Sequence, residues 1–241
     1  MIDIHSHILP MIDDGFQSIG DALDMLDKAY QDGTDALVLT PHLAYEYGFI
    51  NPHEKILHLF DDFQYIVQKE HIPIQLYLGC EFLFESPECF LKHLDDITTI
   101  NGTQYLLIEF FFDVNEKDIL TAIDTVLSHQ LIPIIAHPER YECMQISSTL
   151  AQQCVQKGAL LQINKGSVFH KYGQYAKGTV IDMLNHHLIS FIGSDAHHLY
   201  HRNALLHNDY CYICDYYGDV YANEIFYENP ERMLKNEDIR R

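Results

Sequence analysis

Basic residues are scarce in this sequence. It contains 15 Lys and Arg residues against 35 Asp and Glu residues, so the formal net charge is -20 for 241 residues. Nonspecific nucleic-acid binding relies on Lys and Arg to neutralise phosphates, and this charge balance therefore argues against it. Net charge bears on solubility and association rather than on fold, so it predicts little else.

Long apolar segments are lacking as well. The sequence contains no run of about 18 apolar residues, the length that a membrane-spanning helix requires. The first residues, MIDIHSHILP, have neither the basic segment nor the apolar core of a secretory signal. We therefore expect a cytoplasmic protein without membrane insertion.

Cysteines are few and scattered. Six cysteines in a chain of this size do not suggest a disulfide framework. Cys211 and Cys214 form a C-x-x-C pair, but no second pair completes a four-cysteine zinc site. The aromatic surroundings of this pair favour a packing role, because buried free cysteines are common.

Short β-rich runs recur along the chain and alternate with stretches of helical periodicity. The seven runs are Ile2–His5, Ala36–Thr40, Ile74–Leu78, Tyr105–Glu109, Ile132–Ala136, Leu160–Ile163 and Ile189–Ile192. Several are almost entirely apolar, which is typical of parallel strands covered on both faces. Apolar residues at three- and four-residue spacing predict helices at Asp21–Gln31, Glu54–Glu70, Glu116–His129 and Thr149–Lys157.

This alternation predicts a parallel α/β fold. We favour a distorted seven-stranded TIM-like (β/α)7 barrel, and a doubly wound sheet fits the pattern as well. No linker or repeat marks a boundary, so residues 1–241 are expected to form a single domain. Asn229 and Pro230 suggest the cap and first residue of a last short helix.

Almost every predicted strand ends in a residue type that binds metal ions. These residues are His5 and His7 after the first strand, His42 after the second, Glu81 after the third, Glu109 at the fourth, His137 after the fifth, and Asp195 and His197 after the seventh. In a parallel barrel all these ends lie on one face, where active sites are built. Carboxylates next to apolar strands are costly unless they are paired or bound to metal.

Ligand type limits the metal. Imidazole and carboxylate ligands without thiolate suit Mn, Fe, Zn or Co, and Cys80 is expected to point away from Glu81 into the core. Eight such ligands require more than one ion, as in the clustered-metal hydrolases of phosphate esters. Arg140 and Arg202 follow the fifth and seventh strands, and the planar guanidinium fork matches phosphate oxygens. The other histidines are interpreted as core or surface residues.

The ordered motifs resemble those of the polymerase and histidinol phosphatase (PHP) superfamily. They are D-I-H-S-H-I-L-P followed by Asp13-Asp14-Gly15, T-P-H at Thr40–His42, G-C-E ending at Glu81, A-H-P-E-R-Y at Ala136–Tyr141 and G-S-D-A-H at Gly193–His197. They run from residue 3 to about residue 202 and are most similar to the manganese-dependent bacterial protein-tyrosine phosphatases of capsule and exopolysaccharide synthesis. Met11 departs from the pattern, since such phosphatases frequently have Gly there.

The resemblance implies a centre of two or three ions, with Mn²⁺ expected and Fe, Zn, Co and Mg as alternatives. Its ligand sets would be His5, His7, Glu81 and Asp195 for one ion, Glu81, Glu109 and His137 for a second, and Asp14, His42 and His197 for a third. Arg140 and Arg202 fall where the family uses arginines to bind phosphate. The implied partner is a phosphotyrosyl protein, namely a bacterial tyrosine kinase with a tyrosine-rich tail.

The sequence thus predicts a phosphotyrosine phosphatase in which a metal-bridging hydroxide attacks phosphorus. No cysteine precedes an arginine by six positions, so a phosphocysteine mechanism is excluded. Aromatic residues predicted to line a slot for the substrate ring are Phe16, Tyr45, Tyr47, Phe82 and Phe84. Alternatives are a small-molecule phosphatase of histidinol-phosphate type, an amidohydrolase, or an inactive barrel that serves as a regulatory or binding module. A polymerase-linked nuclease is disfavoured by the charge, and no motif encodes an oligomeric state.

Overall fold

Parallel strands form the centre of the molecule. The computed structural model describes residues 1–147 and 149–240. Its strands are β1 (Ile2–Asp3), β2 (Ala36–Leu39), β3 (His42–Leu43), β4 (Gln75–Leu78), β5 (Glu81–Leu83), β6 (Tyr105–Glu109), β7 (Ile132–Ala136), β8 (Leu160–Asn164) and β9 (Phe191–Gly193). They form a three-stranded sheet in the order β1-β2-β4 and a six-stranded sheet in the order β3-β5-β6-β7-β8-β9.

Helices connect successive strands. They are α1 (Ile19–Gln31), α2 (His53–Lys69), α3 (Pro87–Lys92), α4 (Glu116–Ser128), α5 (Glu142–Ile146), α6 (Leu150–Lys157), α7 (Gly173–Asn185), α8 (His207–Tyr217), α9 (Asp219–Asn223) and α10 (Asn229–Leu234). A π-helical segment, Glu224–Glu228, joins α9 to α10. The prediction that Asn229 caps a new helix is wrong, because the chain is already helical there and Asn229 itself has helical dihedrals.

The predicted parallel α/β architecture is confirmed, since all pairs between these strands are parallel. Two of the strands are interrupted and then resume in the other sheet. β2 and β3 are separated by Thr40 and Pro41, and β4 and β5 by Gly79 and Cys80. Proline has no N–H to donate to a ladder, which accounts for the break after Thr40.

The first and last strands approach each other beyond their ends. Ser6 forms an isolated parallel bridge with Ala196. The His7 N–H donates to the Ala196 carbonyl at 2.9 Å, and the Asp195 N–H donates to the His5 carbonyl at 2.9 Å. These hydrogen bonds bring the segments after β1 and β9 side by side.

Local sequence accounts for helix α1 and for strands β6 and β7. Ser18 caps α1 by accepting from the Asp21 N–H, and the apolar stripe of this helix lies in the hydrophobic core. Every residue of β6 and β7 is buried, as expected for parallel strands covered on both faces. Because all the strands pair in parallel, their carboxyl ends lie on one rim.

Four of the six cysteines, namely Cys80, Cys143, Cys154 and Cys214, lie in or against the hydrophobic core. Cys80 is buried in the hydrophobic core, and all six cysteines are free. Cys211 and Cys214 lie on α8, where Cys214 packs against the core. Among the described residues, no helix combines the length and apolar character needed to cross a bilayer.

Candidate metal centre

The residues predicted at the strand ends converge on one site. His5 and His7 follow β1, His42 begins β3, Glu81 begins β5, Glu109 ends β6, His137 follows β7, and Asp195 and His197 follow β9. Asp14 reaches the same site from the loop after β1, where its carboxylate lies 3.3 Å from His42 and 3.4 Å from His197. All nine side chains thus meet across more than 180 residues of sequence.

Glu81 is at the centre of this group. Its Oε2 atom lies 3.1 Å from His5 Nε2 and 3.0 Å from His7 Nε2. The same oxygen lies 3.3 Å from His42 Nδ1, and Oε1 lies 2.9 Å from His137 Nε2. The carboxylate is only 1% exposed, so a buried anion faces four imidazoles.

Potential ligand atoms fall into three overlapping groups, each with atoms within 4.8 Å of one another. The groups are His5, His7, Glu81 and Asp195; His7, Asp14, His42 and His197; and His42, Glu81 and Glu109. The first coincides with a predicted ligand set, and the second adds His7 to another. In the third, His42 replaces the predicted His137, whose Nε2 lies 3.9 Å from Glu109.

Glycines and strained residues shape the loops that carry these side chains. A Cβ atom on Gly15 would lie 2.1 Å from the His7 carbonyl oxygen, and one on Gly193 would lie 2.8 Å from the His5 Cβ. His137 and Asp195 have positive φ angles of 35° and 50°, which non-glycine residues adopt at a cost and mostly at functional sites. Met11 also has a positive φ of 62°, which explains why glycine suits that position.

Three supporting residues hold the candidate ligands and were not assigned from the sequence. The Asp13 carboxylate lies 2.8 Å from His7 Nδ1 and accepts from the His42 N–H at 2.9 Å. Gln162 contacts His5 Nδ1 at 2.7 Å, and the Asn164 amide donates to Asp195 at 2.6 Å. Such partners fix the orientation of imidazoles and leave Nε2 free to bind.

A signal for two of these residues exists in the sequence. Gln162 and Asn164 are polar residues in the otherwise apolar strand β8, and their i, i+2 spacing places both on the same face. Buried polar groups on such a strand require partners. Asp13 belongs to the D-D-G motif, but the sequence of this loop does not indicate whether the carboxylate of Asp13 or that of Asp14 faces the ligand histidines.

Some buried polar atoms of this cluster have no hydrogen-bond partner among the described residues. They are His42 Nδ1, Glu109 Oε1 and His137 Nδ1, and the first two lie 3.3 Å apart. Since buried polar atoms are nearly always paired, this donor set fits bound cations. Mixed imidazole and carboxylate ligands suit first-row divalent metals.

The electrostatics also favour cations. Burial alone would raise the pKa of Glu81, but His5 and hydrogen bonds from His137 lower it well below its ordinary value. The pKa of Asp195 is likewise lowered, because His5 and Arg202 outweigh burial. Burial lowers the pKa of His5, yet Glu81 and Asp195 raise it to about 9. The two carboxylates are therefore ionised and attract positive charge.

Both predicted arginines lie beside the cluster. Arg202 Nη2 is 2.7 Å from the Asp195 carboxylate, and Arg140 Nη1 is 3.5 Å from it. The Arg140 guanidinium carbon also lies 4.5 Å from the centre of the Phe112 ring and 5.0 Å from that of Tyr172. Cation–π contacts on two rings hold this guanidinium in place.

A cavity of about 480 Å³ opens onto the cluster. Its lining consists of Asp14, His42, Tyr47, Phe49, Glu81, Glu109, Phe110, Phe112, His137, Arg140, Asp195, His197 and Arg202. Seven of the nine candidate ligands and both arginines therefore share one cavity wall with four aromatic residues.

Of the aromatic residues predicted to line a slot for the substrate ring, Tyr47 lines the cavity, and its contact with substrate stays a prediction. Phe16, Phe82 and Phe84 are wrong, because they are buried in the hydrophobic core. Tyr45 is also wrong, since it stacks on His93 and donates to Asp96. Phe110 and Phe112 also line the cavity but were not predicted to do so. The run of phenylalanines directly after Glu109 was the sequence feature that could have indicated them.

Comparison with known proteins identifies relatives of this chain. The family model for capsular polysaccharide synthesis proteins CpsB/CapC matches residues 1–235. The tyrosine-protein phosphatase CpsB of Streptococcus agalactiae is 32% identical over 99% of this chain and 100% of its own length. The tyrosine-protein phosphatase YwqE of Bacillus subtilis is 32% identical over 99% of this chain and 93% of its own length.

A solved structure agrees with these relatives. It comes from work on YwqE of Bacillus subtilis and CpsB of Streptococcus pneumoniae, described as unique metal-dependent tyrosine phosphatases. It superposes with a TM-score of 0.90 at 30% identity and covers 98% of this chain and 95% of its own. The resemblance found in the sequence motifs is thereby confirmed, and the chain belongs to the CpsB/CapC family of capsular polysaccharide synthesis.

Proposed function

We propose that this chain is a metal-dependent protein-tyrosine phosphatase of capsular or exopolysaccharide synthesis. The observation that carries the proposal is the convergence of five histidines and four carboxylates, with Glu81 at their centre, beside the two arginines of the cavity. The names of the relatives, tyrosine-protein phosphatases, support this activity. The partner would be a phosphotyrosyl protein, namely a bacterial tyrosine kinase, and the predicted cytoplasmic location stays a prediction.

The nine candidate ligands would hold two or three ions, with Mn²⁺ the metal that we favour. One ion would bind His5, His7, Glu81 and Asp195, and Asp14, His42 and His197 would bind another. Glu81 and Glu109, together with His42 or His137, would complete a further site. The segments beside Ser6 and Ala196 favour a distorted seven-stranded barrel in which each interrupted strand counts once.

Charge favours three ions over two. Within the candidate ligand set, Asp14, Glu81, Glu109 and Asp195 bring four negative charges, which two divalent ions would only neutralise. Three would make the ions and their ligands net positive, which favours binding of a phosphate dianion. When bound, such ions lower the pKa of water and stabilise charge on phosphate oxygens. Arg140 and Arg202 would bind the equatorial oxygens as charge spreads over them.

The shape of the cavity suits an aryl phosphate. Tyr47, Phe49, Phe110 and Phe112 line it together with the charged residues. The substrate ring would rest among these aromatic side chains, while its phosphate faces the arginines. Tyrosine is a comparatively good leaving group, because the pKa of a phenol is about 10, so a strong general acid is not required.

Substrate comparison tests this proposal against the small-molecule alternative. With Mn²⁺ present, kcat/KM for a phosphotyrosyl peptide is expected to exceed that for histidinol phosphate by at least about 10-fold, because the aromatic residues bind the ring. Steady-state phosphate release measures both. A higher kcat/KM for histidinol phosphate would overturn the assignment to protein tyrosine and leave a metal-dependent phosphatase of another substrate class.

Asp13→Asn is expected to weaken metal binding by about 10- to 100-fold. Asp13 fixes His7 through Nδ1, and an amide removes the negative charge that polarises this imidazole. Titration with the metal, monitored by calorimetry, measures the change in metal affinity. Asp21→Asn, in the first turn of α1, is the matched control and should bind metal as the wild type does. Unchanged affinity in Asp13→Asn would exclude its role in holding His7.

A further inference from the structure

Lys171 and Arg140 both lie against the ring of Tyr172. The Lys171 Nζ atom is 5.2 Å from the centre of the Tyr172 ring, and the Arg140 guanidinium carbon is 5.0 Å from the same centre. One aromatic ring therefore carries two cations. Arg140 lines the reaction cavity, so Tyr172 links that cavity to a second positive group outside it.

The local backbone makes room for the Lys171 side chain. Gly166 has a φ of +82°, and a Cβ atom there would lie 2.9 Å from Lys171 Cδ and 3.3 Å from Lys171 Cβ. The Lys171 N–H donates to the Gly166 carbonyl at 3.2 Å. A side chain at residue 166 would displace the aliphatic stem, so glycine permits the position that Lys171 occupies.

No carboxylate is paired with Lys171. Among residues 1–147 and 149–240, none has a carboxylate oxygen within 4.0 Å of its ammonium group, whose contact is with the Tyr172 ring. Asp195 pairs with Arg202 at 2.7 Å, and Asp209 accepts from the Gly166 N–H at 2.7 Å. Both nearby carboxylates are thus engaged by other groups.

Positive groups are also close to Lys171. Partial burial, Lys165 and Arg202 lower its pKa to about 8 against the opposing influence of Asp195 and Asp209. Lys165 itself donates to the Asn203 carbonyl at 3.1 Å. Lys171 is exposed, so its ammonium group is accessible to the acidic side chain of a bound molecule.

We infer that Lys171 is a specificity-determining residue that binds an acidic side chain flanking the phosphotyrosine of the substrate. The inference rests on the proposed function, since it requires the phosphate to occupy the cavity beside Arg140. Both cations lie on one ring, and extended peptide advances about 3.3 Å per residue. The recognised Asp or Glu therefore lies within about three positions of the phosphotyrosine.

Paired peptides test the inference. Two phosphotyrosyl peptides differ only in Glu or Gln at flanking positions, and kcat/KM is measured for each with the manganese-loaded enzyme. The wild type is expected to prefer the Glu peptide by about 2- to 5-fold through a lower KM, as exposed ion pairs contribute little more. The preference should decrease at high salt, because ions screen exposed charges.

Variants at residue 171 test whether Lys171 causes the preference for the Glu peptide. Lys171→Gln is expected to abolish it, Lys171→Arg to keep it, and Lys171→Glu to shift it toward a peptide with Lys at the same position. Lys177→Gln, on the following helix α7, is the matched control and should retain the wild-type preference. A structural effect alone would not follow the sign of the charge at residue 171.

Two failures are distinguishable. If the wild type hydrolyses neither these peptides nor 4-nitrophenyl phosphate with any of the candidate metals, the proposed function itself is wrong. If it hydrolyses them but Lys171→Gln keeps the wild-type preference for the Glu peptide, the proposed function stands and the role of Lys171 is overturned. Absence of any preference in the wild type overturns that role as well.

Discussion

Chelation with EDTA is expected to abolish hydrolysis of a phosphotyrosyl peptide, and added Mn²⁺ is expected to restore it. Without cations, a phosphate dianion would approach ionised Glu81 and Asp195, whose pKa values are lowered by His5 and other cationic neighbours. Arg140 and Arg202 alone do not offset this repulsion, since both already face Asp195. Metal analysis and initial rates on the same samples measure the effect.

Glu81→Gln is the residue-level form of this prediction. It removes a carboxylate that lies within 3.3 Å of His5, His7, His42 and His137 nitrogens. An amide offers one oxygen without charge, so metal content and kcat/KM should fall together. We expect a loss of more than about 100-fold, because even supporting residues of metal sites contribute 10- to 100-fold.

Control measurements separate this effect from unfolding. Glu88→Gln on helix α3 is the matched control, since Glu88 is exposed and exposed substitutions change stability by about 0.5 kcal/mol or less. Circular dichroism should show the same helix content in both variants. Full activity after EDTA, or in metal-free Glu81→Gln, would overturn the metal mechanism. A protein that retains metal but hydrolyses no phosphoester would instead be a binding module.

The strands were predictable because of their environment. Residues such as those of β6 and β7 are buried on both faces, and this leaves a continuous apolar run in the sequence. The interruptions between β2 and β3 and between β4 and β5 were not predicted. They depend on which neighbour each half pairs with, and pairing is not a property of one segment.

The convergence of the candidate ligands was predictable for a related reason. Parallel strands end on the same rim, so a residue at a strand end such as His5 or Glu109 is placed by topology alone. The grouping was less predictable, because His42 completes the compact group with Glu81 and Glu109, although His137 also lies 2.9 Å from Glu81. Ring directions in loops depend on contacts such as that between Asp13 and His7, which sequence spacing does not define.

The second large effect is expected for Arg140→Ala, which should keep its metal and lose turnover. Arg140 belongs to none of the groups of candidate ligand atoms. Its removal leaves Arg202 paired with Asp195 at 2.7 Å, so Asp195 stays ionised and able to bind a cation. A lost donor to transition-state phosphate oxygens lowers kcat by about 10²- to 10³-fold.

Further variants define what Arg140 contributes. Arg140→Lys should restore little of the activity, because a point charge does not reproduce the planar fork that Phe112 and Tyr172 hold. Arg232→Ala, on α10, is the matched control, since that residue pairs with Glu237. Kinetics and metal analysis together decide the role of Arg140. Normal hydrolysis by Arg140→Ala would show that Arg140 does not bind the phosphate. Joint loss of metal and activity would show instead that Arg140 positions Asp195.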